Sequence, residues 1–223
     1  MSAAQKIIRS ASLLILLAFA ACQTNFQSTA QSREKVFPTT HEKPKLVEIE
    51  SPAIKKLLES AIEQTTLTKN YDPAYTVLAY PNGDVPMEKG VCTDVVIRAF
   101  RNAGVDLQME VHEDMRGNFA AYPKKWKLPK PDSNIDRRRV PNLQTFFTRQ
   151  KKSLPITDRA ENFKPGDVVA WNLNGKNLTH IRIVSNFYNE TTKRYSIIHN
   201  IGGGTRLEDV IFDWKIIGHY RYF

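Results

Sequence analysis

The stretch Lys164-Pro165-Gly166-Asp167-Val168-Val169-Ala170-Trp171 divides this sequence into two parts of different periodicity. Pro-Gly-Asp is turn chemistry: proline presets φ, glycine accepts a positive φ, and the aspartate side chain bonds nearby backbone. An apolar run follows at once and predicts a strand over 168–171. Similar short runs at 180–184, 195–199 and 216–222, separated by turn residues, predict further antiparallel strands. Upstream the period is helical. Ser51-Pro52 sets a cap before a proline, and Ile54, Leu57, Leu58, Ala61 and Ile62 recur at helical spacing. A second predicted helix follows Gly90, carries Val95, Val96, Ala99, Phe100 and Ala103, and stops at Gly104. A third runs from Asp106 to about Met115, and a fourth starts at Pro141 with Leu143, Phe146 and Phe147 on one face. Helices first and an antiparallel sheet second make an α+β fold.

Composition agrees with one folded domain. At 223 residues with 41% hydrophobic and 25% charged residues, the chain is neither disordered nor a multi-span membrane protein. Two cysteines cannot build a disulfide framework.

Residues 1–21 read as a leader. Lys6 and Arg9 precede the apolar run 13–21, which is too short to span a membrane. Phe19-Ala20-Ala21-Cys22 resembles a bacterial lipoprotein cleavage box, with Phe19 in place of the usual aliphatic residue, so Cys22 is the expected lipidation site. Residues 22–45 are polar and contain Pro38 and Pro44, as in a flexible tether, and the domain is expected to cover 46–223. The expected location is the periplasm or cell envelope, with the protein held to a membrane by lipid. Cys92 is then the single free thiol in a compartment that pairs cysteines.

Charge is concentrated. The whole chain carries +9, and residues 116–152 hold eleven basic residues against Asp132 and Asp136. A basic insertion here, holding Tyr122, Trp126 and four prolines and including Arg137, Arg138 and Arg139, suits a groove for an anionic polymer. For an exported chain that polymer is peptidoglycan or another anionic envelope component rather than nucleic acid.

Cys92 lies where the second helix should begin, and unpaired N–H groups at a helix start favour thiolate. His180 opens one predicted strand and His199 closes the next, so adjacent antiparallel strands could bring them together. A thiol nucleophile, a histidine base and a third polar group that orients the base form a nucleophilic triad. Asp94 either caps the second helix or contacts substrate amines. His112-Glu113 lacks the second histidine of a zinc peptidase, which would stand at Arg116, and no metal or cofactor is expected. His41 and His219 receive no role, and Gly202-Gly203-Gly204 reads as a turn near His199.

Gly90-Val91-Cys92-Thr93-Asp94, Asp136-Arg137-Arg138-Arg139-Val140-Pro141-Asn142-Leu143, Pro165-Gly166-Asp167 and His199-Asn200-Ile201-Gly202 together resemble the YijF-like family of exported bacterial proteins of unassigned function. More distantly, the order of cysteine at a helix start, Pro-Gly-Asp before a strand, and histidines on consecutive strands is similar to the NlpC-type papain-like cell-wall peptidases. That resemblance implies a papain-like fold, Cys92 as nucleophile, His180 as base, His199 as orienting residue, and Tyr80 as a tyrosine beside the site. Arg182 departs from the pattern, since those enzymes place a small residue two positions after the strand histidine. The function so implied is a thiol hydrolase of peptide amide bonds in the cell wall. Two alternatives stand beside it: a non-catalytic peptidoglycan-binding or envelope-assembly lipoprotein, and a thiol amidase or acyltransferase on a small molecule.

Overall fold

The computed structural model describes residues 43–223. The leader over 1–21, the Cys22 lipidation site, His41 and most of the 22–45 tether lie outside the described residues. Helices come first. Helix α1 (Pro52–Leu67) has the Ser51 hydroxyl accepting from the Ile54 amide at 3.5 Å, with proline in its first turn. Helix α2 (Cys92–Asn102) is the central one, and its residues 92 to 100 are all buried. Helices α3 (Leu107–Asn118) and α4 (Val140–Arg149) flank it. Helix α3 is capped by Asp106, which accepts from the Gln108 amide at 3.0 Å.

Eight strands accompany the helices among the described residues. Strand β1 (Lys45–Leu46) precedes the helices, and β2 (Asn70–Tyr71) pairs in parallel with β3 (Lys89–Gly90) just before α2. The main sheet is built from β4 (Val168–Asn172), β5 (Thr179–Asn189), β6 (Arg194–Asn200), β7 (Thr205–Glu208) and β8 (Lys215–Tyr220). Its order is β7-β6-β5-β4-β8, all antiparallel, and β1 pairs with the far end of β5. Strand β5 runs five residues past the predicted 180–184, and β7 carries too little apolar signal to be visible in the sequence.

The sheet is buried on both faces. One face sends Val168, Ala170, Ile181, Ile183 and Ile198 into a core with α1, α2 and α4 that also holds Cys92. The other sends Val169, Trp171, Val184 and Ile197 against Phe163 and Ile211. Strand alternation fixes which residues go where.

The basic stretch is no separable insertion. Tyr122, Leu143, Phe146 and Phe147 from it are in the first core. Several of its charges are satisfied internally: Arg149 bonds Asp114 at 2.7 Å, Arg116 bonds Glu113 at 2.9 Å, and Arg137 and Arg138 are buried.

Candidate active site

Helix α2 begins at Cys92 because Asp94 caps it: its carboxylate accepts from the Val91 amide at 2.7 Å. The same carboxylate takes Arg138 at 2.9 Å, with both side chains almost wholly buried. Arg138 also donates to the carbonyls of Ala74 and Asp72. Asp94 and Arg138, both expected to contact substrate, are therefore structural partners. Arg137 is likewise corrected: it donates to the carbonyls of Ser133, Asn134 and Gly83 from a buried position. Of the three consecutive arginines Arg138 and Arg139 line a cavity, and Arg138 is already paired with Asp94 there.

That cavity, of about 200 Å³, is lined by Cys92, Tyr71, Trp126, Arg139, Lys125 and Thr179 among others. Burial pushes the Cys92 thiol up to about 11, outweighing the helix-start amides and the Ile181 amide that favour the thiolate. Tyr71 is the tyrosine beside the thiol, its hydroxyl pushed up to about 12 by burial and by the charges of Cys92 and Asp94. Tyr80, expected at that place, instead donates to Glu113 at 2.8 Å and packs edge-on against His112. Parallel pairing of β2 with β3 carries Tyr71 to Gly90, and no sequence pattern announces so short a bridge.

The histidines meet on the sheet. His180 Nε2 lies 2.9 Å from His199 Nδ1, and His199 Nε2 lies 2.8 Å from Glu208 Oε2. Glu208 was not foreseen because it sits on β7. The chain Glu208–His199–His180 leaves Nδ1 of His180 without a hydrogen-bond partner among the described residues. Burial, His199 and Arg182 lower His180 to about 2, so its ring is neutral.

No hydrogen bond joins the Cys92 thiol to the imidazole pair among the described residues. His180 faces Trp171 directly across β4–β5 and stacks on it with ring centroids 5.7 Å apart, on the sheet face away from α2. Cys92 belongs to the other face, with Ile181. Pairing of β5 with β6 stops at Ile183 and Ile198, and beyond it the Ile181 amide meets Cys92. One peptide unit thus separates His180 from the group that Cys92 accepts. Asn200 holds this junction by donating to the Gly90 carbonyl at 3.1 Å.

Arg182, at the position that departs from the peptidase pattern, is fully buried over the Trp171 ring, and its Nε and Nη1 have no partner. His219 is also placed: its Nε2 lies 2.8 Å from Asp167 Oδ2, and Arg221 bonds the same carboxylate at 2.7 Å. Asp167 of the Pro-Gly-Asp turn accordingly anchors the C-terminal strand.

Fold and site together define a helix-first α+β domain with a buried thiol at a helix start and a histidine pair on its sheet. The chain belongs to the family described as "Domain of unknown function (DUF1287)", whose pattern matches residues 58–222. It is 51% identical over 181 residues to "Uncharacterized protein YijF" of Escherichia coli (strain K12), covering 81% of this chain and 87% of that protein. Two solved structures are similar at a lower level. NlpC1 from Trichomonas vaginalis matches with a TM-score of 0.43 and 9% identity over 82% of this chain and 48% of its own. A protein of Staphylococcus aureus similar to lipoproteins of the NLP/P60 family matches with a TM-score of 0.39 and 12% identity, over 79% of this chain and 43% of its own. The chain spans less than half the length of these two structures.

Proposed function

We propose that this protein is an exported, lipid-anchored thiol hydrolase acting on peptide amide bonds of the bacterial cell wall. The observation that carries the reading is the Glu208–His199–His180 chain, which ends one peptide unit from the amide that Cys92 accepts. Cys92 is the nucleophile. His180 has Nε2 engaged by His199, so Nδ1 is the nitrogen left to exchange a proton with the thiol. The resting arrangement keeps the thiol protonated, and the activating step brings the imidazole to Sγ. Thiolate then attacks the carbonyl, the α2 amides receive the developing oxyanion, and the imidazolium protonates the leaving amine. Water attacks the thioester with the same imidazole as base.

Purified wall muropeptides incubated with the protein should yield new amine termini by mass spectrometry. Cys92→Ala should abolish them, and His180→Ala should slow them by roughly 10²-fold or more. A second reading, a wall-binding lipoprotein without turnover, is favoured by the burial that keeps the Cys92 thiol protonated and by the lack of a hydrogen bond between it and the imidazole. Absence of product from wild type, with sedimentation onto wall sacculi unchanged by Cys92→Ala, would establish that reading instead.

A further inference from the structure

We infer that the mouth of the Cys92 cavity is a carboxylate-binding subsite, formed by Lys125 and Arg139 around Trp126, and that the ligand carries a free carboxylate close to the group presented to Cys92. This deepens the hydrolase reading and rests on it for the role of the thiol.

The cavity lining carries more positive charge than the carboxylates around it neutralise. Every charged residue lining the cavity is a cation: Lys125, Arg138 and Arg139. Arg138 is already neutralised by Asp94. Arg139 has one carboxylate within reach, Asp136 at 3.5 Å. That contact uses one Arg139 nitrogen and the Asp136 Oδ1, while Oδ2 accepts from the Asp132 amide and burial raises the carboxyl's pKa, so the other donors of the Arg139 fork stay unpaired. Arg139 lies over the Trp126 ring, 4.2 Å from its centre, a contact that orients the guanidinium plane without cancelling its charge. Lys125 is exposed and makes no bond to any described residue. An arginine fork and a neighbouring ammonium are the donors that a carboxylate takes, the first with two parallel bonds and the second as a point charge. The cavity, about 200 Å³, holds the share of about seven waters at ~30 Å³ each, room for one amino-acid side chain rather than a polymer. Trp126 and Pro73 add the apolar wall that such a side chain needs.

The test uses the full chain with Cys22→Ser, so that Cys92 is the single thiol. Its alkylation rate is measured with iodoacetate, which is anionic, and iodoacetamide, which is neutral. Relative to a free thiol, the ratio of the two rates should favour the anion by about ten-fold at low salt. The preference should fall several-fold in Lys125→Gln and in Arg139→Gln, collapse at about 0.5 M salt, and persist in Lys151→Gln, which removes an exposed charge away from the cavity. A ratio that ignores both cavity substitutions overturns the inference. If neither reagent modifies folded Cys92, the thiol reading fails by itself. The subsite is then decided by titrating N-acetylglutamate against N-acetylglutamine while following the Trp126 indole resonance. Equal responses to the acid and the amide, or none to either, overturn the carboxylate subsite.

Discussion

Arg138 and Asp94 show how a residue's neighbours decide its task. Each is charged, and Arg138 lines the cavity itself, yet their shared bonds at 2.9–3.2 Å are sealed from solvent. Removing one partner leaves a buried charge uncompensated, which costs about 3–5 kcal/mol. Asp94→Ala should therefore lower the urea unfolding free energy by roughly that amount, the loss of the Val91 cap adding to it. Replacing Arg138 by Met in the same chain should restore a large part of the loss, because no orphaned guanidinium then remains. If the double variant is as unstable as the single one, the cap rather than the ion pair accounts for the loss. The sequence Gly-Val-Cys-Thr-Asp made the cap legible, three residues apart on one helix start. The ion pair was not legible, since its partner lies 44 positions away.

At the level of elements, the turn between β6 and β7 sets the distance between His199 and Glu208. Gly204 has φ of +88°, and a Cβ there would stand 2.7 Å from the Thr68 carbonyl oxygen at the end of α1. That same carbonyl accepts from the Thr205 amide at 2.8 Å. Gly202 has φ of +111° but open space around it. Alanine at 204 meets both strain and a backbone clash, whereas alanine at 202 meets strain alone. Gly204→Ala should cost more than the ~1–3 kcal/mol typical of a residue held in such a region, and Gly202→Ala should fall within it, both read by thermal unfolding. Equal costs would mean that the turn moves away from α1 freely. The three glycines read as a turn from sequence. The strand after them did not, because its four residues alternate weakly and its pairing comes from β6.

For the molecule as a whole, burial of two histidines on one sheet face predicts its acid behaviour. His180 is lowered to about 2 and His199 is lowered as well, both by burial first. In the unfolded chain both titrate near ~6.5. Between those values the unfolded state binds protons that the native state refuses, so stability is fully present above about pH 6.5 and is lost as the pH falls toward about 2. The slope of unfolding free energy from His180 should approach ~1.4 kcal/mol per pH unit, with His199 adding to it in the same direction. His180→Gln should flatten the slope by about one proton in urea titrations across pH 4–7, and an unchanged slope would place the proton uptake elsewhere. Arg182 contributes to the same effect as a buried cation near both rings. Its burial could not be anticipated, because alternation on β5 is visible only once its partner strand is known.

The sequence by itself determined the order of elements, the start of the helix that bears Cys92 and the pairing of strands that carry His180 and His199. These follow from turn residues, caps and periodicity, which act over a few positions. Tertiary structure alone decided which face of the sheet each histidine takes, that Glu208 completes their chain, that Tyr71 rather than Tyr80 stands beside the thiol, and that Arg137 is kept from the cavity while Arg138 reaches it already paired with Asp94 and Arg139 reaches it without that pairing. Those outcomes depend on register and on which charges find partners across tens of residues, and a one-residue change of face is enough to move a side chain from one core to the other.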